Sequence, residues 1–314
     1  MLNKKVKSII LAAGKGTRMK SEMPKVLHSI FNKPLLGYVI DAVNNIGYVD
    51  ESFIIVGHEA EKVENFVNKN YERAKCILQS PQLGTGDAVN KATPYINEFD
   101  GYVIVVCGDT PLITADTLRN FIEFHDNNSA DLTVMSAIFE NPKNYGRIIR
   151  DRNKKFVAIV EEKDATPEQK AVKEINAGIY CITWNKISDA FKNLKNNNAQ
   201  GEYYLTDIVK WAVEQNLNVQ SYILDNNEEI FGINSKVQLA EATKILNRNT
   251  DGRMATVVIC RWSESGCSTH VSTSPVTNPA RPPRIVCTSS TVPTSKPMEV
   301  RCLATSSAPS GTFK

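Results

Sequence analysis

Between residues 6 and 139, short apolar runs alternate with stretches of helical spacing, an order that few architectures satisfy. Residues 6–11, 52–56, 75–79, 102–107 and 132–139 read as strands, several of them apolar on both faces. Residues 34–45, 59–68, 87–95 and 114–126 fall between them with helical periodicity, the last with Thr114 and Asp116 in its cap region. Strands apolar on both faces need helices on two sides. The pattern therefore predicts an α/β fold, Rossmann-like, with an open and mostly parallel mixed sheet. After residue 145 the rhythm changes. Residues 146–150 and 156–161 flank a polar turn and read as a β-hairpin, and helices are expected near 185–194, 205–215 and 236–247.

The pattern stops near Thr250. From 251 to 314, 27 of 64 residues are Ser, Thr or Pro, without apolar periodicity, a mix that buries too little surface to offset chain entropy. The expected organisation is one folded domain over 1–249 followed by an unfolded tail over 250–314. Charge narrows the partners. With 37 Lys+Arg against 34 Asp+Glu, a net charge of +3 is too small for nucleic acid or an anionic membrane to be the main partner. The lysines near Met1 precede only a short apolar run over 9–13, and no run approaches the length of a membrane span, so a cytoplasmic location is expected. Cys76, Cys107 and Cys181 lie inside apolar runs and read as reduced core residues. In the tail, Cys260, Cys267 and His270 lack a fourth ligand at useful spacing for a structural zinc.

Chemistry-bearing residues follow the predicted strands. The first strand runs straight into Ala12-Ala13-Gly14-Lys15-Gly16-Thr17-Arg18. Small residues and two glycines allow a sharp turn that presents amide N–H groups to an anion, and Lys15 and Arg18 add charge at the same point. The loop lacks the third glycine of the dinucleotide fingerprint, and no GxxxxGK[ST] occurs in the chain. Taken alone, such a glycine pair is equally an ordinary turn. Leu11 to Arg18 followed by Pro24-Lys25, however, resembles the signature of sugar nucleotidyltransferases, in which the Arg and Lys neutralise charge on the triphosphate. That resemblance implies catalytic roles for Arg18 and Lys25.

A second loop, Gln79-Ser80-Pro81-Gln82-Leu83-Gly84-Thr85-Gly86, lies between a strand and a helix. Its glycines permit close backbone approach, and Gln79 offers both donor and acceptor to a base edge such as uracil. The strand over 102–107 ends in Cys107-Gly108-Asp109. A carboxylate there points into the crevice where open α/β sheets bind ligands, and beside triphosphate oxygens it suits Mg²⁺. Asn234 is a neutral oxygen donor able to supply a second ligand.

The segments just named, together with 144–148, 159–165, 174–179, 198–207 and 232–234, resemble the uridyltransferase half of the bifunctional N-acetylglucosamine-1-phosphate uridyltransferase/glucosamine-1-phosphate acetyltransferase family. The resemblance implies transfer of UMP from UTP to N-acetylglucosamine 1-phosphate, giving UDP-N-acetylglucosamine and pyrophosphate for cell-envelope precursors, with Mg²⁺ as cofactor. It assigns the nucleotide to Leu11, Ala12, Ala13, Gly14, Lys25, Gln79, Gly84, Thr85, Cys107, Gly108 and Asp109. It assigns the sugar to Gly146, Glu161, Asn176, Thr206 and Asn234, and the metal to Asp109 and Asn234. The sugar-side residues also have ordinary roles open to them, as strand ends, turns or core neighbours.

Two departures stand out. Position 87 is Asp where the family commonly has His; an acid favours the start of a helix but repels a nearby triphosphate. After Thr250 there is no hexapeptide repeat of the kind that forms the trimerising, acetyl-transferring β-helix, so acetyl transfer is not expected of this chain. The tail reads either as an out-of-frame or artefactual segment or as a weakly basic tether. Two other functions remain open on the sequence: a related nucleotidyltransferase with different substrates, and a nucleotide-sugar-binding module without turnover.

Overall fold

The computed structural model describes residues 4–250, 254–263 and 266–275. The chain divides into two compact units, Met1–Asn249 and Thr250–Lys314. The first contains strands β1 (Lys5–Leu11), β2 (Ser29–Ile30), β3 (Lys33–Pro34), β4 (Val49–Val56), β5 (Ala74–Leu78), β6 (Gly101–Cys107), β7 (Leu132–Ile138), β8 (Arg147–Arg150), β9 (Phe156–Val160), β10 (Glu174–Thr183) and β11 (Val219–Ile223). Its helices are α1 (Leu35–Asn44), α2 (Ala60–Asn70), α3 (Thr85–Ala92), α4 (Ala115–Asn127), α5 (Pro167–Lys170), α6 (Trp184–Ile187), α7 (Ala190–Asn193), α8 (Asp207–Glu214) and α9 (Lys236–Thr250).

The main sheet runs β11-β7-β10-β6-β1-β4-β5, with the β8–β9 hairpin attached through β10. β1 pairs parallel with both β4 and β6, β4 with β5, and β11 with β7, while β10 is antiparallel to β6 and β7. Alternating residues of the strands feed two cores. Ile10, Ile54 and Ile104 face the layer of α1, α2 and α4, whereas Ile9, Phe53 and Val105 face that of α3 and α6 to α8. This double burial is why the strands read as continuous apolar runs.

β1 sits between strands that the chain reaches in opposite directions, first β4 and later β6. Open α/β sheets hold ligands at such a reversal, outside the carboxyl ends of the strands. Here Leu11 is in register with Cys107 on one side and Ile55 on the other, so the loops after β1, β4, β5 and β6 all leave from one edge.

The expected strands, the hairpin and the cap of α4 by Thr114, whose side chain accepts from the Thr117 amide, are present. The structure differs in three places. The helix expected over 185–194 is two short helices separated at Ser188-Asp189, residues whose side chains compete for backbone hydrogen bonds. β10 and β11 are strands that the pattern did not reveal. In the second unit, where no regular structure was expected, β12 (Met254–Ser263) and β13 (Gly266–Pro275) pair as an antiparallel hairpin. Runs such as Thr256-Val257-Val258-Ile259 have the β-branched character that favours strands. Residues 276–314 of the expected unfolded tail lie outside the described residues, as do the side chains of Cys260, Cys267 and His270. Among the described residues no helix is long and apolar enough to cross a membrane.

Candidate active site

At the carboxyl edge of the sheet, a cleft of about 560 Å³ is lined by Leu11 to Thr17, Lys25, Gln79, Gln82, Gly84, Thr85, Cys107, Asp109 and Glu202, among others. Its floor is knitted by backbone hydrogen bonds. The Gly108 amide donates to the Leu11 carbonyl at 2.9 Å, and the Ala12 amide to the Ile55 carbonyl at 2.9 Å. An added Cβ at Gly108 would lie 3.1 Å from the Leu11 oxygen, so this glycine lets the two strand ends meet.

The two loop glycines of 14–16 differ. Gly14 is exposed and has open space where a Cβ would stand, so nothing in the protein requires it there. Gly16 has φ +59°, and a Cβ would come within 2.6 Å of the Lys25 Cβ. The left-handed turn at Gly16 thus seats the stem of Lys25 against the loop.

Lys25 donates from Nζ to the Asp109 carboxylate and, at 3.0 Å, to Asn234 Oδ1. The Lys25 and Asp109 side chains are only 14% and 15% exposed. The Ile233 amide donates to the Asp109 carbonyl at 2.9 Å, and the Asn234 amide to Gln238 Oε1 at 2.9 Å, so the segment before α9 is tied to the loop after β6. The predicted metal ligands Asp109 and Asn234 are therefore brought together, and their oxygens already converge on one cation, the lysine ammonium. Two hard oxygen donors of this kind fit Mg²⁺ when phosphate oxygens complete the shell. Among the described residues no group of three or more His, Cys, Asp or Glu could hold a metal unaided.

Gln79, 4% exposed, donates through Nε2 to the Gly84 carbonyl at 2.9 Å and to Asp87 Oδ2 at 2.8 Å. The Asp87 carboxylate also stands 3.5 Å from Lys91 Nζ. The charge expected to repel a triphosphate is engaged by a lysine and an amide. Gly84 and Gly86 were expected to admit a ligand. Instead, a Cβ at Gly84, where φ is +118°, would fall 2.6 Å from the Tyr203 carbonyl oxygen, and one at Gly86 would meet a Leu194 methyl at 2.5 Å. Their smallness serves packing of the loop against the 203–204 segment, to which the Gly86 amide also bonds. Thr85 Oγ1 accepts from the Leu205 amide at 3.1 Å.

Gly146, Glu161, Asn176 and Thr206 form a second group. The Asn176 amide donates to the Gly146 carbonyl at 2.9 Å, a Cβ at Gly146 would lie 3.4 Å from the Glu161 carboxylate, and Thr206 Oγ1 donates to Glu161 Oε1 at 3.3 Å. Burial, opposed by the Thr206 hydrogen bond and aided by Asp164 and Asp207, pushes the Glu161 carboxyl above its ordinary range. Glu161 and Thr206 line a separate cavity of about 680 Å³ with Asp164, Lys195, Lys210 and Trp211. The 202–206 segment borders both cavities, Glu202 the first and Tyr204 and Thr206 the second. The smaller cleft holds the reactive cations and is the better candidate for chemistry.

Arg18 is not brought in. It is exposed next to the cleft and makes no hydrogen bond or ion pair among the described residues. Two contributors escaped the sequence reading as site residues. Gln82 donates to the Ala13 carbonyl at 2.7 Å, and Tyr145, largely buried, is close enough to Asp109 for the carboxylate to help push its phenol up, behind burial itself. Glu202, at the start of the 202–207 segment that the resemblance assigns to the sugar, faces the Gly84 loop instead. Cys107 contacts the Gly178 carbonyl through sulfur at 3.6 Å, and burial pushes its thiol up to about 12, so it is an inert wall rather than a nucleophile.

Known proteins give the family of the chain that carries this site. The chain is 45% identical over 242 residues to the Bifunctional protein GlmU of Clostridioides difficile (strain 630), covering 77% of this chain and 52% of that protein. It is 46% identical over 241 residues to the Bifunctional protein GlmU of Pelotomaculum thermopropionicum, covering 77% and 52%. Against the Bifunctional protein GlmU of Desulfitobacterium hafniense (strain Y51) it is 40% identical over 259 residues, covering 82% and 54%. The chain thus spans about half the length of the curated relatives it matches. In fold it is similar to a Bacillus anthracis crystal structure assigned as a glucose-1-phosphate thymidylyltransferase, in complex with a sucrose, with TM-score 0.62 at 21% identity over 76% of this chain and 94% of that one. Residues 7–266 match the nucleotidyl transferase family, and over that span, most of its length, the chain belongs to it.

Proposed function

We propose that the chain transfers UMP from UTP to N-acetylglucosamine 1-phosphate, releasing pyrophosphate, as a cytoplasmic, Mg²⁺-dependent enzyme supplying cell-envelope precursors. The observation that carries this reading is the Lys25 ammonium shared by Asp109 and Asn234 at the carboxyl end of β6, beside the glycine loop. The matching of the chain to the nucleotidyl transferase half of its relatives supports it.

Both reactants are anions, and bringing them together is the main obstacle. A phosphate oxygen of the sugar phosphate attacks the α-phosphorus of UTP; that P–O bond forms as the α–β bridge bond breaks, and the electron pair leaves with pyrophosphate. No protein nucleophile or proton transfer is needed, so catalysis is positioning and charge compensation. Mg²⁺ held by Asp109 and Asn234 would offset charge on the phosphate oxygens. The flexible stem of Lys25 lets its ammonium exchange Asp109 for a phosphate oxygen. The glycine loop of residues 13–16 lines the same cleft, Arg18 is exposed beside it, and Gln79 lines it where a base would be read. Gly146, Glu161, Asn176 and Thr206 offer the fixed donors and acceptors that sugar hydroxyls require.

The test is pyrophosphate release from UTP with N-acetylglucosamine 1-phosphate, run with other nucleotides and sugar phosphates and with a chelator. Release that requires divalent cation and prefers this pair supports the proposal. A different preferred pair selects a neighbouring nucleotidyltransferase, and binding of UDP-N-acetylglucosamine without turnover selects a silent binding module.

A further inference from the structure

Resting on the nucleotide reading of this cleft, we infer that Asp87 is a positioning residue. It fixes the side-chain amide of Gln79 so that only the carbonyl oxygen Oε1 is offered to a nucleobase, restricting the pyrimidines accepted to those with an N–H on the ring nitrogen N3.

A glutamine amide carries two N–H donors and one acceptor, and its two ends differ only by a half-turn. Neighbours decide which end points where. At Gln79 both atoms that meet Nε2 are pure acceptors, the Gly84 carbonyl at 2.9 Å and the Asp87 carboxylate at 2.8 Å. Turning the amide over would set Oε1 against two oxygens and exchange two attractions for two repulsions. A single backbone carbonyl would leave that choice weaker; the carboxylate makes it strong, because charge-assisted hydrogen bonds exceed neutral ones.

Asp87 is itself held. It is 9% exposed in the first turn of α3, with Lys91 one turn further along and 3.5 Å away. Among the described residues no hydrogen bond reaches Gln79 Oε1, and Gln79 lines the cleft. An acceptor there is met by the N3–H of uracil or thymine, whereas cytosine presents a lone pair at N3. Buried polar groups left facing an unsuitable partner are a strong source of rejection. A side-chain amide at position 87 could donate as well as accept, and the carboxylate would no longer dictate the orientation.

The experiment measures equilibrium affinity of the full chain for UTP and for CTP with Mg²⁺, and separately pyrophosphate release, in wild type, Asp87→Asn and Asp87→Glu. Wild type is expected to favour UTP by about tenfold or more. Asp87→Asn, nearly isosteric but able to donate, should bring the two affinities within about threefold, raising KM for UTP while kcat at saturation moves less than about twofold. Asp87→Glu, which keeps a carboxylate, should retain more of the preference than Asp87→Asn. An unchanged UTP-to-CTP ratio in folded Asp87→Asn overturns the inference. So does a wild type that binds both equally, a result that does not depend on any variant folding. Loss of the preference in Asp87→Asn upholds it even if no sugar phosphate is turned over, an outcome that overturns the proposed reaction alone.

Discussion

The two ends of β6 carry polar clusters of opposite design. At its amino end Tyr102 lies edge-on to His125, whose ring is fully buried between Thr133 and Thr183. Thr183 Oγ1 donates to the Ala130 carbonyl at 2.8 Å, so it accepts from the imidazole at 2.9 Å through Nε2–H, and Nδ1 accepts from Thr133 at 2.8 Å. Every polar atom of the ring has a partner inside the protein. At the carboxyl end Lys25, Asp109 and Asn234 satisfy one another while bordering an open cleft. The closed cluster has nothing left to give a ligand. In the open one, each partnership can be exchanged for an equivalent one with a phosphate or a metal ion, and that is the difference between a structural polar group and a working one.

The largest effect that tests this contrast comes from the open end. Lys25→Ala and Asp109→Ala should each lower turnover by about a thousandfold. Thermal unfolding midpoints should stay within a few degrees of wild type, because the residual partner borders solvent. Unfolded variants, or near-normal pyrophosphate release, would erase the distinction.

The closed end makes the complementary prediction, in stability rather than rate. Burial pushes His125 down to about 4 from an ordinary 6.5. The unfolded chain therefore binds a proton more readily than the folded one between those values. The contribution is complete above about pH 6.5 and is lost as pH falls toward 4, amounting to about 3 kcal/mol. Unfolding followed from pH 7.5 to 4.5 should show this loss, and His125→Gln should flatten it while leaving turnover at neutral pH within about twofold. Equal slopes in both proteins would mean that other groups govern acid stability.

Legibility in the sequence follows the same division. β1, β4, β6 and β7 were readable because both of their faces are largely buried, β5 because Cys76, Ile77 and Leu78 form an apolar run even at the exposed sheet edge, and the loops after β1 and β6 because glycine or charge interrupts an apolar run at the point where chemistry begins. β10 was not readable. Asn176 and Gly178 break its run, and the register of its pairing with β7 shifts between Asn176 and Tyr180, with Gly178 at φ +75°. Turn-like residues inside a strand mark an irregularity that only pairing reveals. Polar Gln220 and Ser221 likewise hid β11. At the site, Lys25, Asp109 and Asn234 were nameable singly, but their convergence is a contact between distant segments. The packing role of Gly84 and Gly86 was not legible because the backbone that requires them belongs to Tyr203, far along the chain. The bond from Gln79 to Asp87 depends on the α3 turn bringing the carboxylate back over the end of β5.

Arg18 sharpens the comparison from the side of a group with no hydrogen-bond or ion-pair partner among the described residues. Arg18→Ala should lower turnover by about a hundredfold with no measurable change in unfolding midpoint, since exposed groups away from special features alter stability by less than about 0.5 kcal/mol. An Arg18→Ala enzyme of full activity would show that a cation at the rim is ordinary surface charge.

Asn234 provides the smallest and most discriminating effect. Its Oδ1 is a neutral donor, so in the free protein it helps hold the Lys25 ammonium without adding charge, and the pair Lys25–Asp109 stays balanced. Removing it in Asn234→Ala takes one oxygen from the cation site and leaves the carboxylate in place. The Mg²⁺ concentration for half-maximal turnover should rise by about tenfold, with kcat at saturating metal falling much less. Asn234→Asp separates metal binding from simple charge. A second carboxylate draws a divalent cation more strongly, but it also tightens the grip on Lys25 and repels the triphosphate, so the metal requirement should fall while KM for UTP rises. If both variants shift KM for UTP and leave the metal requirement untouched, Asn234 serves the substrates, and Asp109 is the sole protein ligand at the open end of β6.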